Sequence, residues 1–198
     1  PKDFAMPNAA VSTLEGHASH VSAVAYFTLP DGSVRAISGS DDKTLRVWDP
    51  IAGTCLATLE GHTRTVYTVA CFTLPDGSVR AISGSSDKTL RVWDPIAGTC
   101  LATLEGHTKA VYTAACFTLP DGSVRAISGS GDKTLRVWDP IAGTCLATLE
   151  GHTSYVSNVA CFTLPDGSVR AISGSWDKTL RVWDPIAGTC LATLEGHT

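Results

Sequence analysis

The sequence predicts an all-β protein built from four copies of one antiparallel four-stranded unit. Three observations carry that prediction. A stretch of 45 residues that starts at Gly16 starts again, nearly unchanged, at Gly61, Gly106 and Gly151, and a fixed period of this size decides architecture before local propensity does. Inside each unit, four short apolar runs alternate with turn signals. No segment has the i, i+3, i+4 spacing of an amphipathic helix.

The unit at 61–105 shows each strand in turn. Residues 66–72 (VYTVACF) are rich in β-branched and aromatic side chains and end before Leu74-Pro75-Asp76-Gly77, a turn sequence. Residues 79–84 (VRAISG) form the second run, followed by the short corner Ser85-Ser86-Asp87. The third run, 89–94 (TLRVWD), closes at Pro95-Ile96-Ala97-Gly98, where Pro fixes φ and Gly tolerates a positive φ. The fourth is 100–104 (CLATL). Hairpin-length connections throughout predict a meander. Simple alternation puts Tyr67, Val69 and Cys71 on one face of the first strand and Val66, Ala70 and Phe72 on the other. Both sets are apolar, so each sheet needs cover on both sides, which neighbouring copies supply.

The chain divides into a leader at 1–9 and a repeat array at 10–198, with units at 16–60, 61–105, 106–150 and 151–195. Residues 10–15 (AVSTLE) resemble the LATLE that ends each unit and are expected to form an extra outer strand. Gly196-His197-Thr198 opens a fifth copy. This pattern suits a piece of a longer array or an array that closes on itself.

With 43% hydrophobic and 17% charged residues, the chain has a globular composition. A net charge of -4 without any Lys/Arg cluster argues against nucleic acid as a partner. No apolar run approaches the ~18 residues of a spanning helix, so no membrane partner is expected. All seven cysteines recur at the repeat interval, in two positions of the unit, which is not a metal-ligand spacing. They are expected to be buried free thiols in a reducing, cytoplasmic compartment, with no metal or cofactor.

Gly-His opening each unit, Ser-x-x-x-Asp in its middle and Trp-Asp closing its third strand resemble the WD40 repeat, over all four copies. The resemblance implies a β-propeller, with four-stranded blades around a channel and a non-catalytic role in binding other proteins. It also implies four hydrogen-bonded tetrads: His17, Ser38, Asp42 and Trp48; His62, Ser83, Asp87 and Trp93; His107, Ser128, Asp132 and Trp138; His152, Ser173, Asp177 and Trp183. The residue types suit a chain of donors and acceptors. Ser, His and Asp are also the types of a nucleophilic triad, but an enzyme forms one such site and this set occurs four times.

The copies differ at eight of 45 positions: seven between the third and eleventh residues of the unit, and the one just before the tetrad Asp. On the resemblance, this variation surrounds the channel mouth on one face, where family members hold peptides and protein partners. The candidate recognition residues are His20, Ser22, Asp41, Arg64, Thr65, Tyr67, Ser86, Lys109, Tyr112, Gly131, Tyr155, Ser157 and Trp176, with Thr68 in the same variable stretch. Tyr, Trp and Arg are enriched at binding hot spots.

Four blades are fewer than the seven or eight usual in the family. An open arc leaves two bare apolar faces, each on the order of 500 Å² and worth roughly 12 kcal/mol gross when covered. Two chains cover four such faces against an association cost of ~4–15 kcal/mol. The expectation is a homodimer forming one eight-bladed ring, with a protein or peptide as the further partner. The alternative is an amplified or engineered symmetric scaffold that self-assembles and has no ligand of its own.

Overall fold

The computed structural model describes residues 13–196. The leader at 1–9, residues 10–12 of the expected extra strand, and His197 and Thr198 lie outside the described residues. Residues 13–15 are irregular rather than strand.

Four separate four-stranded sheets follow in order, each with its strands adjacent in sequence order. The first holds β1 (Val21–Thr28), β2 (Val34–Ser40), β3 (Leu45–Asp49) and β4 (Thr54–Leu59). The second holds β5 (Val66–Thr73), β6 (Val79–Ser85), β7 (Leu90–Asp94) and β8 (Thr99–Leu104). The third holds β9 (Val111–Thr118), β10 (Val124–Ser130), β11 (Leu135–Asp139) and β12 (Thr144–Leu149). The fourth holds β13 (Val156–Thr163), β14 (Val169–Ser175), β15 (Leu180–Asp184) and β16 (Thr189–Leu194). Every pairing is antiparallel.

The turns are built as their residues dictate. In the second sheet, Asp76 Oδ1 accepts from the amide and hydroxyl of Ser78 at 2.9 and 2.6 Å, while Gly77 sits at φ +83°. Between the third and fourth strands, Asp94 Oδ1 accepts from the amides of Ile96 and Ala97 at 3.0 and 2.8 Å.

The core lies between sheets. One buried cluster joins Phe27, Ile37, Leu45, Val47 and Leu59 of the first sheet to Val66, Val69, Val79, Ala81 and Trp93 of the second. The next two junctions repeat it. The first strands of successive sheets, β1, β5, β9 and β13, lie next to one another.

Simple alternation fails at one position. Val66 pairs with Ser85 and Thr68 with Gly84, leaving Tyr67 as the extra residue of a bulge. Val66 therefore shares a face with Val69 and Cys71, against the first sheet, instead of with Ala70 and Phe72. A bulge inserts one residue, reverses the facing beyond it and turns its own side chain aside. Here that side chain turns out of the intersheet core.

The cysteine expectation is corrected in part. Cys55, Cys100, Cys145 and Cys190 are exposed, because the start of each fourth strand lies at the outer edge, where no neighbouring sheet reaches. Cys71 and Cys161 are partly buried between sheets, and burial pushes both thiols up to about 12. Cys116 is raised by burial first, then by those two neighbours.

The outer faces of the first and fourth sheets lack the cover that the inner faces have. Val66 is fully buried, whereas its equivalent Val21 is 56% exposed. Leu104 is 1% exposed, whereas its equivalent Leu194 is 46% exposed. Val24, Tyr26 and Val34 on the first sheet and Phe162 on the fourth are bare in the same way.

Candidate binding face

The two variable stretches of each unit are brought together by backbone hydrogen bonding. The corner amide donates to the carbonyl of the unit's fifth residue: Asp41 to His20, Ser86 to Thr65 and Gly131 to Ala110 at 2.9 Å, Trp176 to Tyr155 at 3.0 Å. Beside it, Ser85 Oγ donates to the carbonyl of Arg64 at 3.2 Å and accepts from the Asp87 amide at 3.0 Å. Ser40, Ser130 and Ser175 do the same in the other units. An invariant hydroxyl therefore pins the backbone of the variable loop while leaving its side chains free to change.

Beneath this loop lies the His-Ser-Asp-Trp set. In the second sheet, Trp93 Nε1 donates to Ser83 Oγ at 2.8 Å, His62 Nε2 lies 2.7 Å from Ser83 Oγ, and His62 Nδ1 lies 2.8 Å from Asp87 Oδ2. The other three units repeat these contacts at 2.7–2.8 Å. Chemistry fixes the directions. Indole only donates and carboxylate only accepts, so Nδ1–H donates to Asp87 and the Ser83 hydroxyl donates to Nε2.

Asp87 does more than join His62. Its Oδ2 also accepts from the Thr63 amide at 3.0 Å, and its Oδ1 accepts from the Thr89 amide and hydroxyl at 3.0 and 2.7 Å. Burial alone would raise the carboxyl's pKa. Hydrogen bonds from His62, Thr89 and Thr63 outweigh it and hold Asp87 well below the ordinary 3.8. Asp42, Asp132 and Asp177 are lowered by the same balance. Burial lowers His152 in turn, with Asp177 only partly opposing it, so its neutral form is favoured.

This relay has the connectivity of a hydrolytic triad but not its access. Ser83 and Ser128 are fully buried, and each hydroxyl oxygen is occupied by an indole donor. A nucleophile must reach a substrate carbonyl with a free lone pair. These groups are arranged to hold strands together.

Above them, bulged Tyr67 meets Tyr112 at a ring-centroid distance of 5.2 Å, Tyr112 meets Tyr155 at 6.1 Å, and Tyr155 meets Trp176 at 5.5 Å. Lys109 Nζ lies 5.7 Å over the Tyr155 ring. Burial, then Tyr67 and Tyr155, raises the Tyr112 phenol, which stays neutral. Gly131 makes room for this arc: a Cβ there would lie 3.3 Å from Tyr112 and 3.7 Å from Tyr155. Ser22, Tyr67, Tyr112, Ser157 and Trp176 line a cleft of about 320 Å³ on its inner side. Ser22 and His20 both reach Asp41, at 3.2 and 3.6 Å. Arg64, Thr65, Ser86 and Lys109 do not line it.

Thr68 does not join this face. Its hydroxyl accepts from the Ala114 amide of the next sheet at 3.2 Å. The variable positions represented by Thr68, Val69 and Cys71 lie between sheets, so the variation serves junctions as well as the face. Larger clefts of about 520 Å³ open elsewhere, between neighbouring Leu-Pro-Asp-Gly turns. Their lining does not vary from copy to copy. Among the described residues, no three His, Cys, Asp or Glu side chains converge as metal ligands.

The family described as WD domain, G-beta repeat matches residues 8–49, 53–94, 98–139 and 143–184. The chain belongs to the WD-repeat family. The matches at 53–94, 98–139 and 143–184 each take in the fourth strand of one sheet and the first three of the next, so the sequence repeat is offset from the blade. The four sheets are WD blades and the hydrogen-bonded sets lie within them. The vegetative incompatibility protein HET-E-1 of Podospora anserina is 53% identical over 47 residues, which is 24% of this chain and 3% of that protein. WD-repeat scaffolds typically serve protein interaction. Thr89 and Ser85, with their equivalents, support each WD blade corner and were missed as site residues. The Asp-x-Thr and Ser-x-Asp spacings that signal them are legible in the sequence.

Proposed function

We propose that this chain is half of a WD-repeat propeller, that a second copy closes it into an eight-bladed ring, and that the face bearing the aromatic arc binds a protein or peptide. The observation that carries the binding reading is convergence. Tyr67, Tyr112 and Trp176 come from three blades, at positions that vary between otherwise near-identical copies, and they line one cleft. Neutral drift does not favour aromatic types or one location, and the equally exposed turns do not vary. Closure is supported by bare Val21, Val34, Phe162 and Leu194, whose equivalents are buried at every internal junction.

Panning a displayed peptide library on wild-type protein, with a Tyr67→Ala, Tyr112→Ala, Trp176→Ala variant as counter-selection, tests the binding reading. Selected peptides should lose at least tenfold in affinity for the variant. Failure to enrich any peptide, or equal binding by the variant, favours the ligand-free symmetric scaffold, which the near identity of the copies supports.

A further inference from the structure

We propose that the junction between copies carries its own specifying residues, and that the second copy completes the binding face by placing its His20 and Asp41 beside Trp176. This rests on ring closure as proposed above. The internal junctions supply the template. The corner of one blade adjoins the fifth residue of the next: a Cβ on Gly131 would lie 3.7 Å from Tyr155. In the last blade the corner residue is Trp176, 71% exposed. The fifth residue of the first blade is His20, whose side chain is 92% exposed. Each lacks the neighbour that its position has elsewhere, and closure makes them neighbours. The arc then runs from Tyr67 through Trp176 to His20 and Asp41 of a second copy.

A hydrogen bond points to the same pairing. At two of the three internal junctions the eighth residue of one blade accepts from the ninth-residue amide of the next, Thr68 from Ala114 and Thr113 from Val159, each at 3.2 Å, while Ala23 at the first junction has no side-chain acceptor. At the open end this position holds Asn158, exposed and equipped with an amide oxygen to accept from Val24 of a second copy. Tyr26, also bare, stands on that same first-blade face where the other copies carry Cys71, Cys116 and Cys161.

Sedimentation of the full chain across a dilution series, with tryptophan emission read in parallel, tests this. Asn158→Ala should weaken self-association roughly three- to tenfold and Asn158→Thr should restore it. Thr113→Ala, the same deletion inside the chain, should leave association unchanged. Association should shift the emission of Trp176, and Trp176→Phe should abolish the shift. A wild-type chain that never associates overturns ring closure itself. Association that ignores Asn158→Ala, or leaves Trp176 emission unchanged, overturns the junction assignment while closure stands.

Discussion

Asp87→Ala will lower the free energy of unfolding by about 3 kcal/mol, a fall of roughly 6–12 °C in melting temperature for a chain of this size. The size follows from what the carboxylate holds. It accepts from His62, the Thr63 amide, and both the amide and hydroxyl of Thr89. Thr63 lies at the surface and finds water, but His62 is buried and its ring donor is stranded. His62 in turn orients Ser83, which receives Trp93, so the loss spreads along the chain. The pH dependence has the same origin. Each tetrad Asp has a folded pKa below its unfolded value, so its stabilisation is present above about pH 4 and is lost as the pH falls through that range. His152 is also lowered, so the unfolded state binds its proton more readily, and stability declines first as the pH drops below about 6.5. A melting temperature unchanged by Asp87→Ala contradicts the role given to the tetrad.

In the single, unpaired chain, Gly129→Ala will destabilise the fold by about 1–3 kcal/mol, whereas Gly174→Ala, the same change in the last copy, will stay within about 0.5 kcal/mol. A Cβ on Gly129 would lie 2.6 Å from Val156 Cγ1 and 2.8 Å from Thr113 Cγ2. Both neighbours are β-branched and held in strands, so neither can swing away cheaply. At Gly174 the nearest atom is Leu180 Cδ2 at 3.4 Å, an ordinary contact. Two causes add: the following blade supplies Val156 at Gly129 and nothing at Gly174, and the same-blade neighbour is Thr113 at Gly129 but Asn158 at Gly174. Chemical denaturation of the two variants measures the difference, and equal midpoints would show that blade packing is not what Gly129 serves.

The architecture was legible because repetition multiplies weak signals. One Trp-Asp or one Asp-Gly turn says little, but four in phase define a blade and its corners. The tetrad partners were legible for the same reason. What alternation misassigned was the facing of Val66, since a bulge depends on the pairing register and not on the pattern of apolar residues. The role of Thr68 was misread because a residue in a variable loop stretch can point along the sheet stack as readily as towards solvent. The exposed position of Cys100 was hidden because a strand run does not tell how far the neighbouring sheet extends over it. The aromatic arc itself lay in view as four bulky residues; Gly131 stood out as a variable corner, but that its missing side chain makes room for Tyr112 and Tyr155 depends on the packing of neighbouring blades.

Val21 is the first-blade equivalent of Val156, so a second copy docked on the last blade would set Val21 against Gly174 as Val156 sits against Gly129. Native mass measured over a concentration series for wild type and Gly174→Ala tests ring closure most directly. Wild type should reach a species of two 20.7 kDa chains, and Gly174→Ala, with an unchanged fold, should need at least a tenfold higher concentration to pair. A wild-type chain that stays single at every concentration, or a Gly174→Ala chain that pairs as tightly as wild type, would contradict it.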